Sequence, residues 1–332
     1  MARIRFGFVP TEGGAFYREF LEEALYGEAL GFDSVWLEEH HGVKDHYWPS
    51  PLIGLAGVAT RTERMLLGTD VLVMPFYHPV RVAEDVAMLQ IMSGGRMILG
   101  GAIGYKPDEF ALYQVVMDKR GERFEEAIRL IRALWTQPRV DFEGKHYQVR
   151  GLALEPRPDP PPPIWVGGWG PMALTRAARY GDAWVPGPTA GMEKLLKARD
   201  FYNARLQEIG VDPSSRPAPL TREVVIAESD DAALAMAEKH VLINYRDEYG
   251  GGQWKHPLIG SRDSTAVDRL ETIARDRFLI GSPETIRAEL RRFVEVFGLD
   301  HLICRLYFPG IPHGFIMREL ELLAQEVIPA FR

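Results

Sequence analysis

The segment LEEHHGVKDHYWP, residues 37–49, concentrates side chains that could do chemistry. Glu38 and Glu39 are followed directly by His40 and His41, and an aromatic pair closes the segment before a proline. Carboxylates beside imidazoles serve as metal ligands or as acid–base catalysts, and aromatic rings favour a planar ligand. A run of apolar residues precedes the segment, so we expect these side chains to be presented at the end of a buried strand.

The spacing of the histidines argues against a metal site. Adjacent side chains on an extended segment point in opposite directions, and the sequence has no HExxH pattern that would place two histidines on one helical face. Asp45 and His46 add ligand types without adding that geometry. We therefore predict no metal ion. A nucleophile is not indicated either, because Cys304 lies in a predicted apolar strand and no G-x-S-x-G motif occurs.

A glycine-rich turn is the second candidate site. In VGGWGPMAL, residues 166–174, Gly168 and Gly170 stand between a predicted strand and a predicted helix and superficially match a dinucleotide fingerprint. No acidic residue ends the next strand, where such a site would bond a ribose. Because backbone N–H groups at a helix start also bind a lone phosphate, we favour the phosphate of a flavin-type cofactor. A tight turn with close helix–strand packing is the structural alternative.

Alternating elements must position these groups. Helical patterns at 19–30, 79–92 and 120–135 separate short apolar runs that are typical of parallel strands buried on both faces. Eight such strands predict an α/β fold of the (β/α)8 TIM-barrel type, with a doubly wound sheet as the alternative. The eight runs are 4–10, 34–39, 65–75, 97–104, 163–170, 182–188, 223–227 and 301–310.

The connections carry further predictions. Gly31, Gly181 and Gly298 each precede a strand, where we expect a glycine in the left-handed conformation to end a helix. Residues 136–162 are predicted to form an excursion with a hairpin near Glu143 and an extended proline-rich run. Residues 246–280 are predicted to be an insertion before the last strand that acts as a lid. No shift in composition divides the chain, so residues 1–332 are predicted to be one domain.

Composition limits the partners. A formal charge of -7 argues against nucleic acid, and no apolar stretch is long enough to predict a membrane span. The single cysteine excludes a disulfide framework within the chain, and together with the absence of a signal-peptide pattern it predicts a cytoplasmic protein.

Taken together and in order, several stretches resemble the bacterial-luciferase-like family of flavin-dependent monooxygenases. The likeness covers nearly the whole chain and implies a (β/α)8 barrel with an insertion before the last strand. The stretches are GFDSVWLEEHH (31–41), LLGTDVLVMPFYHPVRVAEDVAMLQIMSGGRMILGGAIGY (66–105), RGERFEEAIRLIRALW (120–135), PPIWVGGWGPMALTRAARYGDAW (162–184) and GSPETIRAELRRF…YFPGIPHGF…VIPAFR (281–332).

The resemblance also implies roles for individual residues. His40 and His41 match a histidine pair beside the cofactor and substrate, and Glu39 is expected to orient an imidazole or to bond the flavin edge. Asp70-Val71 matches a place where such enzymes often hold a non-prolyl cis peptide. Two positions depart from the family, because Ile103 stands where luciferases have arginine and Trp169 replaces a smaller polar residue. The cofactor contacts expected from these matches and from the strand ends are Asp70, Val71, Ile103, Tyr105, Gly167, Gly168, Trp169 and Gly170.

The function that the resemblance implies is a monooxygenase. It would use reduced FMN, supplied by a separate flavin reductase, and oxygen to oxidise a small apolar substrate, and it would form a homodimer. One alternative is an oxidoreductase that uses coenzyme F420 for hydride transfer without oxygen. Because such relatives usually carry an Asp-His pair where this chain has Glu39-His40-His41, FMN is favoured here. A protein that binds flavin without turnover is the other alternative.

Overall fold

The computed structural model describes residues 3–43, 47–249 and 269–332. The chain divides into two compact units. One comprises Met1–Ser34, Pro186–Asp200 and Ala218–Arg332, and the other comprises Val35–Val185 and Phe201–Pro217. Each unit is an α/β structure built on parallel strands, which confirms the predicted fold class at that level.

The described residues form twelve strands and twelve α-helices. The strands are β1 (Arg5–Val9), β2 (Ser34–Leu37), β3 (Leu66–Thr69), β4 (Leu72–Val73), β5 (Met97–Ala102), β6 (Val140–Glu143), β7 (Gln148–Leu152), β8 (Ile164–Gly167), β9 (Ala183–Val185), β10 (Pro219–Ile226), β11 (Leu279–Gly281) and β12 (His301–Arg305). The helices are α1 (Tyr17–Leu30), α2 (Pro51–Ala59), α3 (Pro79–Met92), α4 (Pro107–Leu112), α5 (Arg120–Thr136), α6 (Pro171–Tyr180), α7 (Met192–Glu208), α8 (Asp230–Ala237), α9 (Ile243–Tyr249), α10 (Leu270–Ala274), α11 (Pro283–Arg292) and α12 (His313–Leu322).

In the unit that holds residues 35–185, the strand order is β2-β3-β5-β8-β9, with β4 beside the second half of β5. The strands β2, β5 and β8 are almost entirely buried, because helices cover apolar side chains of this sheet. Trp36 of β2 and Trp165 of β8 stack with ring centroids 4.9 Å apart inside this core. The carboxyl ends of these strands are followed by the segments that carry the candidate site.

In the other unit, the strand order is β11-β10-β12-β1, and all three pairings are parallel. The eight residues of β10 are all buried, since this strand lies between two neighbours. At the start of β12, His301 is buried and lies 2.7 Å from the Ser34 hydroxyl. This short contact holds a neutral polar pair inside an otherwise apolar layer.

Each of the eight predicted runs overlaps a strand, although β10 begins at Pro219, before the run predicted over 223–227, and one run is divided. The run 65–75 forms β3 and β4, which are separated at Asp70-Val71. The short strand β11 was not predicted, because two of its three residues lie in the segment assigned to the insertion. Residues 250–268, the middle of the segment predicted to be a lid, lie outside the described residues, so the lid stays a prediction.

Two local predictions need correction. Gly31 and Gly298 end helices with φ of 92° and 77°, as predicted, but Gly181 is extended with φ of -91°. Glycine is required there because an added Cβ would lie 2.9 Å from the Ala177 carbonyl oxygen. The proline-rich run is not uniformly extended, since the chain bends at 155–156 and 159–160, where both prolyl bonds are cis. The hairpin near Glu143 is confirmed by β6 and β7.

Candidate active site

The loop after β2 presents the predicted catalytic residues. Glu39 forms a parallel bridge with Trp48, and the Trp48 backbone N–H donates to the Glu38 carbonyl at 3.0 Å. These contacts close the loop across its base and hold His40 and His41 between them. Asp45 and His46, which were weighed as metal ligands, lie outside the described residues.

Polar groups lie at both ring nitrogens of His40. Nδ1 lies 2.7 Å from Glu109 Oε1, and Nε2 lies 3.3 Å from the Tyr105 hydroxyl. The Tyr47 ring packs edge-on against the imidazole with a centroid distance of 4.5 Å. Because an ionised carboxylate can only accept, Nδ1 carries the proton and Nε2 is the basic nitrogen.

Glu109 lies in the first turn of α4, directly after the carboxyl end of β5. Its carboxylate also accepts the His41 backbone N–H at 3.0 Å. Burial pushes the pKa of Glu109 upward, but the bonds from His40 and from the His41 backbone and the charge of Lys106 outweigh it, and the pKa is lowered overall. An ionised carboxylate therefore fixes the ring of His40.

His41 belongs to a separate hydrogen-bonded group. Nε2 lies 3.1 Å from Glu39 Oε1, and Nδ1 lies 3.0 Å from the Tyr113 hydroxyl. Glu39 also accepts the Tyr77 hydroxyl and the Val73 backbone N–H. The contact between Glu39 and His41 is the one that the first of its two expected roles, the orientation of an imidazole, requires. The side chain of His41 is only 4% exposed, so it holds the loop rather than facing a ligand.

Burial and Glu39 also affect the tyrosines of this group. Burial and the adjacent Glu39 carboxylate raise the pKa of Tyr77 far above its usual value, and the same causes raise the pKa of Tyr113. Both hydroxyls therefore stay protonated and act as donors over the physiological pH range.

The Asp70-Val71 peptide is cis, at the position that the resemblance singled out. The Asp70 backbone N–H donates to the Leu37 carbonyl at 2.8 Å, which ties this turn to the end of β2. The Val71 side chain packs against the backbone of Gly167 in β8. A Cβ added to this glycine would lie only 3.2 Å from Val71 Cγ1. The turn therefore packs closely against β8.

The glycine turn after β8 has positive φ at two glycines, 135° at Gly168 and 87° at Gly170. A Cβ added at Gly168 would lie 3.0 Å from Ala173 Cβ, whereas one added at Gly170 would meet no atom within 4 Å, so only the Gly170 end of the turn is open. Trp169 packs edge-on against Trp184, whose indole N–H donates to the Gly168 carbonyl at 2.9 Å. Ile103 follows β5 and is partly exposed.

Sequence reasoning missed Glu109, Tyr113 and Tyr77. Glu109 and Tyr113 are four residues apart, which is one helical turn, and they follow a predicted strand end, so their spacing was a usable signal. Within residues 3–43, 47–249 and 269–332, no group of three side chains has the geometry of a metal site. The same ranges contain no helix that is long and apolar enough to cross a membrane.

Comparisons with known proteins are consistent with this geometry. The luciferase-like monooxygenase family matches residues 3–301. An F420-dependent glucose-6-phosphate dehydrogenase of Beutenbergia cavernae is 36% identical and aligns over 99% of this chain and 98% of its own. The protein of that name from Intrasporangium calvum is 30% identical over 95% of each chain. The structure of monooxygenase RslO1 from Streptomyces bottropensis has a TM-score of 0.81 at 26% identity, covering 99% of this chain and 100% of that one.

These relatives overturn the predicted reaction. The interpretation as a monooxygenase that uses reduced FMN is wrong, because the relatives of 36% and 30% identity, which align over nearly the whole chain, are named F420-dependent glucose-6-phosphate dehydrogenases. The predictions of oxygen as a substrate and of a flavin reductase as a partner lose their support together with the monooxygenase reaction, since hydride transfer to a deazaflavin needs neither. Glu39 was one reason for predicting FMN, but its carboxylate forms hydrogen bonds within the protein, to His41, Tyr77 and Val73.

Proposed function

Because the chain belongs to the luciferase-like monooxygenase family and its relatives include F420-dependent dehydrogenases, we propose that it is a coenzyme F420-dependent oxidoreductase that oxidises a hydroxyl-bearing substrate. The observation that carries the chemistry is the 2.7 Å bond between His40 and Glu109. It supplies an oriented base, which the oxidation of an alcohol requires. Glucose 6-phosphate, from the names of the relatives, is the first substrate to test.

The residues at the strand ends fit such a cofactor. The Val71 side chain packs beside the backbone of Gly167 and offers an apolar surface to a planar ring. The open backbone at Gly170 directly precedes α6, where N–H groups suit a phosphate. The proposed contacts are Asp70, Val71, Ile103, Tyr105, Gly167, Gly168, Trp169 and Gly170, and no acidic side chain other than Asp70 is among them.

Coenzyme F420, when bound, accepts the hydride that leaves the carbon bearing the substrate hydroxyl. The chain must then take the hydroxyl proton. His40 Nε2 is the atom that receives it, since Nδ1 is held by Glu109. The Glu109 carboxylate stabilises the imidazolium that results, in the way a buried acid supports a histidine base.

His41 and Glu39 serve this reaction by position. They share hydrogen bonds with Tyr113 and Tyr77 and fix the loop on which His40 stands. Their catalytic role was a prediction, and we propose that they are positioning residues. In this proposal neither side chain exchanges a proton with the substrate.

The test is direct reduction of the coenzyme. Purified protein is mixed with oxidised coenzyme F420 and glucose 6-phosphate, then with a panel of primary and secondary alcohols, and loss of the coenzyme absorbance is followed. We expect reduction with at least one of them and no consumption of reduced FMN above the rate without protein. The proposal fails if no alcohol reduces the coenzyme.

A pair of variants tests the base. H40N should lower kcat by about 100-fold or more, because general base catalysis contributes about 10²–10⁴. H146N is the control, since His146 lies between β6 and β7 and its side chain lies 3.3 Å from the exposed carboxylate of Glu122. Equal activity of the two variants would remove His40 from the reaction.

The remaining architecture stays a proposal that family membership supports. Residues 1–332 are proposed to form one (β/α)8 barrel with an insertion at 246–280, and two copies are proposed to form a homodimer. Light scattering on purified protein would test the dimer, with a monomer mass as the contrary result.

A further inference from the structure

Tyr105 stands between His40 and solvent. Its hydroxyl lies 3.3 Å from His40 Nε2, the nitrogen that must receive the proton. We propose that Tyr105 is a catalytic residue that contacts the substrate hydroxyl and relays its proton to His40. This inference rests on the proposed function and adds a second proton transfer to it.

Exposure favours a relay over direct contact between His40 and substrate. Tyr105 is 48% exposed, whereas the His40 side chain is only 11% exposed. The Tyr47 ring covers one side of the imidazole, and Glu109 occupies its other nitrogen. A substrate hydroxyl therefore reaches the phenol oxygen more easily than it reaches Nε2.

A cation lies beside the phenol. The Lys106 ammonium is 5.8 Å from the centroid of the Tyr105 ring and 5.6 Å from that of Tyr47. Lys106 is only 7% exposed, so its charge acts through a poorly screened environment. A positive charge at this place stabilises the negative charge that develops on the phenol oxygen during transfer.

The step is balanced without another reactant. The substrate O–H proton passes to Tyr105 Oη while the Tyr105 proton passes to His40 Nε2. Bound coenzyme F420 would supply the acceptor for the hydride of the substrate C–H bond, so that the substrate would become a carbonyl compound. His40 ends as the imidazolium beside Glu109 and later releases its proton to water.

Kinetics provide the first test. Y105F should lower kcat by about 100-fold with KM changed less than threefold, because a proton-transfer group is lost while binding is kept. The control Y26F removes a tyrosine hydroxyl that donates to Glu321 and belongs to neither histidine group, and it should alter kcat less than threefold. Rates in mixtures of light and heavy water should curve for the wild type, as two moving protons require, and be linear for Y105F.

Nuclear magnetic resonance of protein with ¹⁵N-labelled histidine, without cofactor, provides the second test. The Nε2 resonance of His40, assigned with H40N, should shift in Y105F and stay in place in the control Y26F. An unchanged resonance, a kcat within threefold of the wild type, or an unchanged heavy-water curve in Y105F would each overturn the relay alone. A wild-type protein that reduces no coenzyme F420 with any alcohol would overturn the relay and the proposed function together.

Discussion

His301 should make this protein sensitive to acid. The side chain is fully buried at the start of β12, and its ring lies 2.7 Å from the Ser34 hydroxyl. Burial, and then the positive charge of Arg5, lower the pKa of His301 from 6.5 to about 3. The folded protein therefore keeps this imidazole neutral at pH values where the unfolded chain protonates it.

The sign and size follow from proton linkage. Between the unfolded pKa of 6.5 and the folded pKa of about 3, the unfolded chain binds the extra proton, so stability falls as the pH falls through this window. Each pH unit costs about 1.4 kcal/mol once the pH is well below 6.5. From pH 7.5 to pH 4.5 the loss is roughly 3 kcal/mol, which is a large part of the stability of a typical domain.

Urea denaturation of wild type and H301Q at pH 7.5, 6.5, 5.5 and 4.5 measures this loss. Glutamine keeps a polar partner for Ser34 and does not titrate, so all other ionisable groups contribute equally to both proteins. The free energy of unfolding of the wild type should fall by roughly 3 kcal/mol more than that of H301Q. If the two curves run parallel, His301 is accessible to protons in the folded state and the reasoning is refuted.

Three substitutions extend the predictions. E109Q should lower kcat by about 100-fold while KM changes little, because the amide can donate to the histidine and favour the wrong tautomer; an unchanged kcat contradicts this. G100A should destabilise the fold by about 3 kcal/mol or more, since its Cβ would lie 1.9 Å from a backbone carbonyl oxygen, whereas G14A meets no atom within 4 Å; calorimetry compares them. R96K should lose about 2–4 kcal/mol, because the guanidinium donates to four backbone carbonyls, and R61K at an exposed position is the control in urea titrations.

Local sequence patterns predicted the helices and strands well, because the residues that determine such an element are close together in the sequence. The helix predicted over 79–92 is α3 with the same bounds, since its apolar stripe and its initial proline are both visible in the sequence. The strand β11 escaped notice because three residues are too few to establish an apolar period. A glycine can be required for a left-handed backbone or for close packing, and the sequence does not distinguish the two. At Gly181 the reason is close packing.

The candidate site was predicted only in part, because some of its contacts join residues that are far apart in the sequence. His40, His41 and Glu39 are neighbours in the sequence, so their proximity was certain. Glu109 reaches His40 from 69 residues away, and only the sheet brings the ends of β2 and β5 together. The cofactor prediction was wrong because the glutamate at position 39, in place of the usual aspartate, was interpreted as a sign of FMN. The Glu39 carboxylate instead forms hydrogen bonds within the protein, to His41 and Tyr77.

The arrangement of α4 determines where this enzyme can be redesigned. Glu109 in α4 and Tyr113 directly after it, one turn apart, contact His40 and His41, so a library that varies either position would disturb the whole loop. Leu112 and Val116 belong to the same segment but are 63% and 66% exposed. Diversity placed at these two positions changes the surface beside the site without breaking its hydrogen bonds, which makes them the natural starting points for altering substrate range.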